Sequence, residues 1–554
     1  MSPSNRIVPD RHQPPLPVDR FIVRDAPDED AVPMDVVFVG AGPAGLAGAI
    51  ELAKLVRQDN ERDGGIGDVE IAVLEKAGGL GEHTLSGAVI NPGPFRALFP
   101  ELADTDFPFR SAVSAERVYM LREGSALRIP TPPTMKNHGH YIASLCEVVR
   151  WMGEKAEELG VNIFTGFPAE SLLVDGDSVA GVRTTATGLN RDGSQSGSYQ
   201  PPTDITARVV ALAEGTRGAL AQAFFEWQNI GSENPQIYAL GVKEIWETKT
   251  PLDAIVHTLG WPLPNDAFGG SFMYPLEPNV IALGLVVGLD YHNARLDVHA
   301  LLQRMKTHPL FLEFLKDGEM VEWGAKTIPE GGYYSIPRRR SGNGIVVLGD
   351  SAGYVEVASL KGVHYAVQSG IHAARAIFDA LKKDNVSADA LAAYDVAVDN
   401  SFIVSDLKRR RNMRLAFKSG FYMGGVKSAL MTLTGGVFPG RRIPVDTDAA
   451  EPRLMETPTS FSPDGRLTFS KLDAVFKAGN ATRDDIPSHL VTGGDVPGDV
   501  ADFYAHLCPA GVYERTGDGL TVNAPNCVDC KATDVVGPRW TPREGGSGPQ
   551  YRRM

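Results

Sequence analysis

Three of the four cysteines in this chain stand close together near its end. Cys508 opens Cys508-Pro509-Ala510-Gly511, and Cys527 and Cys530 lie in Asn526-Cys527-Val528-Asp529-Cys530-Lys531-Ala532-Thr533-Asp534. A Cys-x2-Cys pair lets two thiolates reach one metal centre from a single tight turn, and a proline after a cysteine is frequent where a chain wraps an iron–sulfur cluster. The spacing is that of a metal site with one thiolate missing, because the next ligand falls at Thr533. Read alone, these residues leave open a [4Fe–4S] cluster with one ligand that is not cysteine, a [3Fe–4S] centre, zinc held by three thiolates and another donor, or no metal. A threonine hydroxyl is a poor ligand, so Asp529, Asp534, His506 or a water compete for the fourth position.

A second chemistry is written near the N-terminus, in Met34-Asp35-Val36-Val37-Phe38-Val39-Gly40-Ala41-Gly42-Pro43-Ala44-Gly45. An apolar run feeds directly into G-x-G-x-x-G, and Leu46 to Val56 reads as a helix. In that context Gly40 makes the tight turn, Gly42 lets the backbone approach a pyrophosphate, and Gly45 allows close helix–strand packing, with the phosphate on the helix N-terminus. Val69 to Lys76 supplies a second strand whose Glu75 suits ribose hydroxyls. The acid comes later than the usual interval of about 20 residues, and the polar insert Arg57–Asp68 accounts for the excess as a loop.

The elements that must position these groups are strands ending in short acidic signatures. Arg208 to Gly215 is a buried strand ending in Glu-Gly, and Gly344 to Gly353 is another, ending in Gly349-Asp350. The three-part pattern resembles the glutathione-reductase-like FAD fold, in which the last Gly-Asp contacts the ribityl–pyrophosphate region. The plain alternative for Asp350 is a helix cap. No second G-x-G-x-x-G follows a strand, so a separate NAD(P)H domain is not expected.

At 554 residues the chain is long enough for several domains, and its net charge of −14 argues against nucleic acid as a partner. Cys146 alone outside the tail gives no disulfide framework, which predicts a reducing compartment. Residues 1–33 are rich in proline and lack an apolar core, so they read as a disordered arm that is neither signal nor transit peptide. No apolar stretch is long enough to span a bilayer. Phe421 to Phe438 is nevertheless apolar with one lysine, bracketed by Lys408, Arg409, Arg410, Arg411, Arg414 and Lys418 before it and by Arg441 and Arg442 after it. Such a segment predicts peripheral contact with anionic head groups; the plain alternative is a core helix with solvated flanks.

Several separated blocks resemble one family, the electron transfer flavoprotein–ubiquinone oxidoreductases. They are Gly81-Glu82-His83-Thr84-Leu85-Ser86-Gly87-Ala88, Asn137-His138-Gly139-His140-Tyr141, Gly260-Trp261-Pro262-Leu263, Phe268-Gly269-Gly270-Ser271-Phe272-Met273-Tyr274, Ala282 to Tyr291, and Cys508 to Glu514. The resemblance runs from about Asp35 to Met554. It implies an α/β (α+β overall) fold: a glutathione-reductase-like FAD domain interleaved with a quinone- and membrane-binding domain over 34–450, and a C-terminal ferredoxin-like domain over 451–554 holding one [4Fe–4S] cluster. It also implies FAD held by Gly40, Gly42, Gly45, Glu75, Gly349 and Asp350, a ubiquinone or other quinone at Gly269 and Gly270, and a cluster on Cys508, Cys527 and Cys530. The implied partners are the electron transfer flavoprotein and membrane quinone, at the cytoplasmic face of a bacterial inner membrane. Without the resemblance, Gly269-Gly270 would read as a strand bulge.

Two departures from the family pattern stand out. The family's tail reads Cys-x2-Cys-x2-Cys where this chain has Thr533, and the loop Ile129 to Met135 is shorter than the family's apolar membrane-dipping segment. Two other readings compete: an FAD-dependent reductase or hydroxylase of the polyprenyl-reductase type acting directly on an organic substrate, and a non-enzymatic docking module. NAD(P)H-driven turnover indifferent to quinone would mark the first, and absence of FAD the second.

Overall fold

Val36, Val37, Phe38 and Val39 are all buried, and a run of that kind needs hydrogen-bonded neighbours on both edges and apolar cover on both faces. The computed structural model describes residues 6–554 apart from 63, 88, 439, 459, 460 and 518, so residues 1–5 of the expected arm and Ala88 lie outside it. In chain order the elements that position the site are β1 (Val32–Val39), α1 (Pro43–Asn60), β2 (Ile71–Glu75), β3 (Glu116–Arg122), β4 (Asn162–Thr165), β5 (Asp204–Leu212), β6 (Tyr238–Glu247) and β7 (Ile255–Gly260). They continue with β8 (Gly269–Glu277), β9 (Val280–Gly288), β10 (Glu319–Pro329), β11 (Ile345–Val347), α2 (Val363–Lys382), α3 (Phe421–Leu433), α4 (Gly498–Leu507) and α5 (Ala532–Val536).

Two sheets carry the molecule. In the first, β4, β2, β1 and β5 run side by side and all parallel, with β11 parallel to the end of β5. Antiparallel strands Ser178–Thr184 and Ala169–Asp175 extend it beyond β5. Helices α1 and α2 pack against each other so closely that a Cβ at Gly370 would stand 2.3 Å from the Ala44 carbonyl. The second sheet runs β10-β6-β9-β8-β7-β3, antiparallel except for the parallel pair β7 and β3. The predicted strands over 208–215 and 344–353 are thus present, and α1 runs on to Asn60, four residues past the expected end.

The described part of the arm is folded, which corrects the expectation of disorder over 1–33. Arg6–Ile7 pairs antiparallel with Arg453–Leu454, Val18–Phe21 is one helical turn, and Ile22–Val23 adds as a parallel edge strand beside Ala169–Asp175. Ile7, Phe21 and Ile22 supply buried anchors, which composition alone understated. The arm also straps the tail: Gln13 Nε2 donates to the carbonyls of Asp534 and Gly537, both at 3.0 Å, and Arg539 Nε donates to Pro14 O at 2.9 Å.

Candidate functional site

The C-terminal ends of β1, β2 and β5, the β11–α2 connection and one face of the second sheet enclose a cavity of about 340 Å³. Ligands bind at this end of parallel sheets because the loops diverge there. Gly40 has φ +109°, a left-handed conformation that favours glycine, and a Cβ on it would meet the Ala213 carbonyl at 2.4 Å. A Cβ on Gly45 would lie 2.0 Å from Gly40 O, whereas one on Gly42 would meet nothing within 4 Å. Gly42 therefore opens onto the cavity at the N-terminus of the 18-residue helix α1, where backbone N–H groups and the helix dipole favour an anion.

Glu75 is oriented in advance: Oε2 accepts from Ala41 N at 3.0 Å and Oε1 from Ala77 N at 2.9 Å. Gly349 packs on α1, and Asp350 presents its carboxyl to the cavity. Asp350 is not a helix cap, since neither the turn it lies in nor α2 is capped by its side chain. Burial pushes its pKa up to about 6, opposed only by Lys326. Lys243, Lys326, Lys361 and Lys531 also line the cavity. Burial pulls Lys243, Lys326 and Lys361 down to about 8 and Lys531 to about 7. A lysine-lined cavity in an acidic protein, with open backbone at a helix N-terminus, fits the diphosphate of a dinucleotide.

The tail cysteines are all buried. Cys508 ends α4, Cys527 follows a turn at Ala524–Asn526, and Asp529 and Lys531 both adopt positive φ, so the loop winds tightly around its own interior. Burial pushes the Cys530 thiol well up, and the charges of Cys508 and Cys527 push it further, so the three sulfurs are within electrostatic reach of one another. Among the described residues, the set of potential metal ligands whose ligand atoms lie within 4.8 Å of one another is His489, Cys527 and Asp529. The three thiols are not such a set, whereas sulfurs on one tetrahedral zinc stand about 3.8 Å apart. Wider spacing fits a polynuclear cluster.

The fourth position is occupied by Thr533 on α5, whose Oγ1 lies 3.3 Å from Tyr513 Oη. Tyr513 in turn feels all three cysteines. Two of the other ligands expected from sequence are engaged elsewhere. Asp534 accepts from Arg217 Nε at 2.7 Å and Trp540 N at 3.0 Å, and His506 Nδ1 pairs with Asp502 O at 2.8 Å. Asp529 accepts from Lys76 Nζ at 2.6 Å, Arg543 Nη2 at 2.9 Å and Trp540 Nε1 at 3.0 Å, and its Oδ1 also lies 3.7 Å from Cys527 Sγ. Burial would raise its pKa, but Arg543 and Lys76 hold it well below the usual carboxylate range. Three buried thiols thus stand with the Thr533 hydroxyl at the place where a fourth ligand is expected.

Cavity and tail share a wall. Thr327, which lines the cavity from β10, donates its N–H to Cys530 O at 2.9 Å, and Lys76, Lys531 and Trp540 line the cavity beside the cysteine loop. The sequence reading missed Lys76, Lys326, Lys531 and Trp540 as site residues. Only the Glu75-Lys76 dipeptide lay close enough to a motif to signal one of them.

Gly269 and Gly270 do not line the cavity; β8 presents Phe272 and Tyr274 to it. A Cβ on Gly269 would meet Val286 O at 2.1 Å and one on Gly270 would meet Thr258 O at 2.7 Å, so neighbouring backbone demands both glycines. Just before them, Phe268 packs on Phe417 with ring centroids 4.8 Å apart, and Phe421 N donates to Asn265 O at 3.4 Å. Strand β8 therefore runs from the foot of α3 to the cavity. Helix α3 and the turn after it leave Tyr422, Met423, Val426, Leu430, Leu433, Val437 and Phe438 exposed, which a core helix would not. The basic flank is smaller than expected from sequence. Arg414 is buried between Asp290 and Glu330, Arg410 pairs with Glu356, and Lys418 with Asp290 and Glu451. Lys408, Arg409 and Arg441 remain exposed. No helix among the described residues is long and apolar enough to cross a membrane.

Two family models match, one described as ETF-QO, ubiquinone-binding, over residues 238–328, and one described as Electron transfer flavoprotein-ubiquinone oxidoreductase, 4Fe-4S, over residues 465–552. The mitochondrial electron transfer flavoprotein-ubiquinone oxidoreductase of Oryza sativa subsp. japonica is 38% identical over 95% of this chain and 94% of its own length. The human enzyme of the same name is 36% identical over 94% of this chain and 89% of its own length. Among solved structures, a geranylgeranyl bacteriochlorophyll reductase-like protein from Thermoplasma acidophilum superposes with TM-score 0.53 at 17% identity, covering 74% of this chain and 96% of that one, a likeness of fold alone.

Proposed function

The chain belongs to the electron transfer flavoprotein–ubiquinone oxidoreductase family, and from that premise we propose that it takes electrons from a reduced electron transfer flavoprotein and delivers them to a membrane quinone. It is an oxidoreductase whose cofactors are FAD and an iron–sulfur cluster. When bound, the cluster supplies one-electron exchange and the flavin couples that to the two-electron chemistry of a quinone. The observation that carries this reading is the shared wall: the Thr327 N–H to Cys530 carbonyl bond at 2.9 Å joins the dinucleotide cavity to the cysteine loop directly.

Gly40, Gly42 and Gly45 shape the pyrophosphate approach, Glu75 and Asp350 meet the ribose and ribityl hydroxyls, and Gly349 seats that turn on α1. Cys508, Cys527 and Cys530 hold the cluster, with Thr533 at its fourth corner. The quinone enters at the foot of α3, passes the Gly269-Gly270 end of β8, and reaches Phe272 and Tyr274. Seven exposed apolar side chains on and after α3 support peripheral membrane contact there, reinforced by Lys408, Arg409 and Arg441. We place the site at the cytoplasmic face of a bacterial inner membrane, a reducing compartment consistent with four free cysteines.

Anaerobically purified protein, with FAD and iron quantified, is to be given reduced electron transfer flavoprotein and a short-chain ubiquinone. Quinol formation that Cys530→Ala abolishes, while FAD stays bound, is the expected result. NAD(P)H-driven turnover of a small molecule with no quinone reduction overturns the reading in favour of a direct reductase. Flotation with anionic but not neutral liposomes checks the membrane contact.

A further inference from the structure

Beside the main cavity lies a second chamber of about 30 Å³, lined by Asn137, His257, Tyr274, Lys361 and His364 among others, with Tyr274 and Lys361 facing both spaces. Its volume exceeds the roughly 10–15 Å³ that one water requires, and its walls are polar. Nothing in the electron route uses it. Quinone reduction, however, needs more than electrons: each carbonyl oxygen must gain a proton as two electrons arrive. A site buried in protein must receive those protons through side chains or trapped water.

The chamber has the parts. Tyr274 Oη lies 2.6 Å from His257 Nε2, which fixes the hydroxyl at the boundary between the two spaces. Lys361 Nζ donates to Asn137 Oδ1 and, at 3.2 Å, to Ser359 O. Asn137 Nδ2 is anchored by Glu116 Oε1 at 2.6 Å, and Asn137 Oδ1 lies 3.4 Å from Nδ1 of His140. Lys361 is itself half-buried, and it lines the chamber, so this lysine stands between solvent and chamber.

We propose that this chamber is the proton inlet for quinone reduction, with Tyr274 as the group that protonates the quinone oxygen and Lys361 as the residue that recharges it from solvent. The inference rests on the quinone-reductase reading above. The Tyr274 O–H bond breaks as an O–H bond forms at the quinone oxygen that faces it, chamber water returns a proton to Tyr274, and Lys361 replaces that proton and regains its own from bulk water; the oxygen at the far edge of the ring takes its proton from solvent. The two electrons come from the reduced flavoprotein, so the balance is quinone plus two electrons and two protons giving quinol. His257 acts through Tyr274 and is a positioning residue.

The charges around Lys361 suit its part in this role. Burial pulls Lys361 down to about 8, against Glu356 on its own loop and Glu116 on β3, and Arg410 lowers it further. A lysine at that value releases and regains a proton near neutrality. Burial lowers the pKa of His257 and of His364 to about 3, and that of His140 to about 4, so all three are neutral and do not compete.

The test uses flavin-loaded Lys361→Met and Tyr274→Phe, the second removing only a hydroxyl. Each reduced enzyme is oxidised by a short-chain ubiquinone or by ferricyanide, which takes electrons without protons. The quinone rate is expected to fall about a hundredfold more than the ferricyanide rate in both variants. The pH limb near 8 should vanish in Lys361→Met, and with it the pH-dependent step in the bound flavin's absorption spectrum, a readout independent of turnover. Equal losses with both acceptors, or a limb near 8 that survives in Lys361→Met, overturn the proposal. Wild-type enzyme that reduces no quinone overturns the function itself, and is told apart by that control.

Discussion

Asp350, half-buried at the cavity, and Asp529, fully buried beside the cysteine loop, are carboxylates displaced in opposite directions. Asp350 rises to about 6 because burial acts almost unopposed; Asp529 falls well below the ordinary range because Arg543 and Lys76 touch it. Burial penalises charge unless a cation is in contact. The difference separates two kinds of site. Around Asp350 the protein leaves polarity unsatisfied for hydroxyls of a ligand to complete. Around Asp529 the protein completes its own ion pairs, and the carboxylate bolts the cysteine loop to the first sheet through Lys76.

The largest way to break this contrast is Asp529→Asn, which keeps the shape and removes the charge, leaving Arg543 and Lys76 without their anion. Removing one member of a buried ion pair costs about 3–5 kcal/mol. We expect a matching drop in urea stability of the tail and loss of iron with FAD retained; unchanged iron content would show that the bolt is dispensable. Gly42→Val strikes the other side. Its side chain has free space in the ligand-free protein, so the fold should hold while flavin affinity falls about a thousandfold, or about 4 kcal/mol. Isothermal titration with FAD checks it, and full flavin content would refute the placement of the pyrophosphate.

Asp350→Asn sharpens the contrast through pH. With a folded pKa near 6 and an ordinary value of 3.8, the folded state keeps a proton that the unfolded chain releases, so stability falls as pH rises from about 4 to 6 and stays low above. In flavin-free protein, Asp350→Asn should add about 2–3 kcal/mol at pH 7.5 and nothing at pH 3.5, at 1.36 kcal/mol per pKa unit. For Asp529 the sign reverses: its contribution is present above the ordinary value and lost only as pH falls through the depressed one. The smallest effect is expected for Lys76→Met. Lys76 is partly exposed and Arg543 still pairs with Asp529, so about 1 kcal/mol should be lost in urea unfolding. A loss equal to that of Asp529→Asn would mean that Lys76 alone sets the site.

Local signals were legible in the sequence because they are backbone requirements of contiguous residues. Gly40 to Gly45 specify a turn and a helix start, Glu75 ends the adjoining strand, and Cys527 to Cys530 specify a turn that converges two sulfurs. The apolar Phe421–Phe438 segment was legible too, but its basic flank was overcounted. Arg410, Arg414 and Lys418 find acids that only the fold brings to them. The arm was misread for the same reason: Ile7, Phe21 and Ile22 gain their cover from residues far along the chain.

The sequence by itself determined the fold class, the dinucleotide turn and the three sulfurs with Thr533 as the departure. The tertiary structure alone decided what surrounds them. Lys76 reaches Asp529 across 453 positions and Lys361 reaches Asn137 across 224, and no local pattern records such pairs. Propensity and periodicity report which side chains lie within a turn or a strand of one another. Charge compensation and the making of cavities depend on the distance between elements, which packing sets.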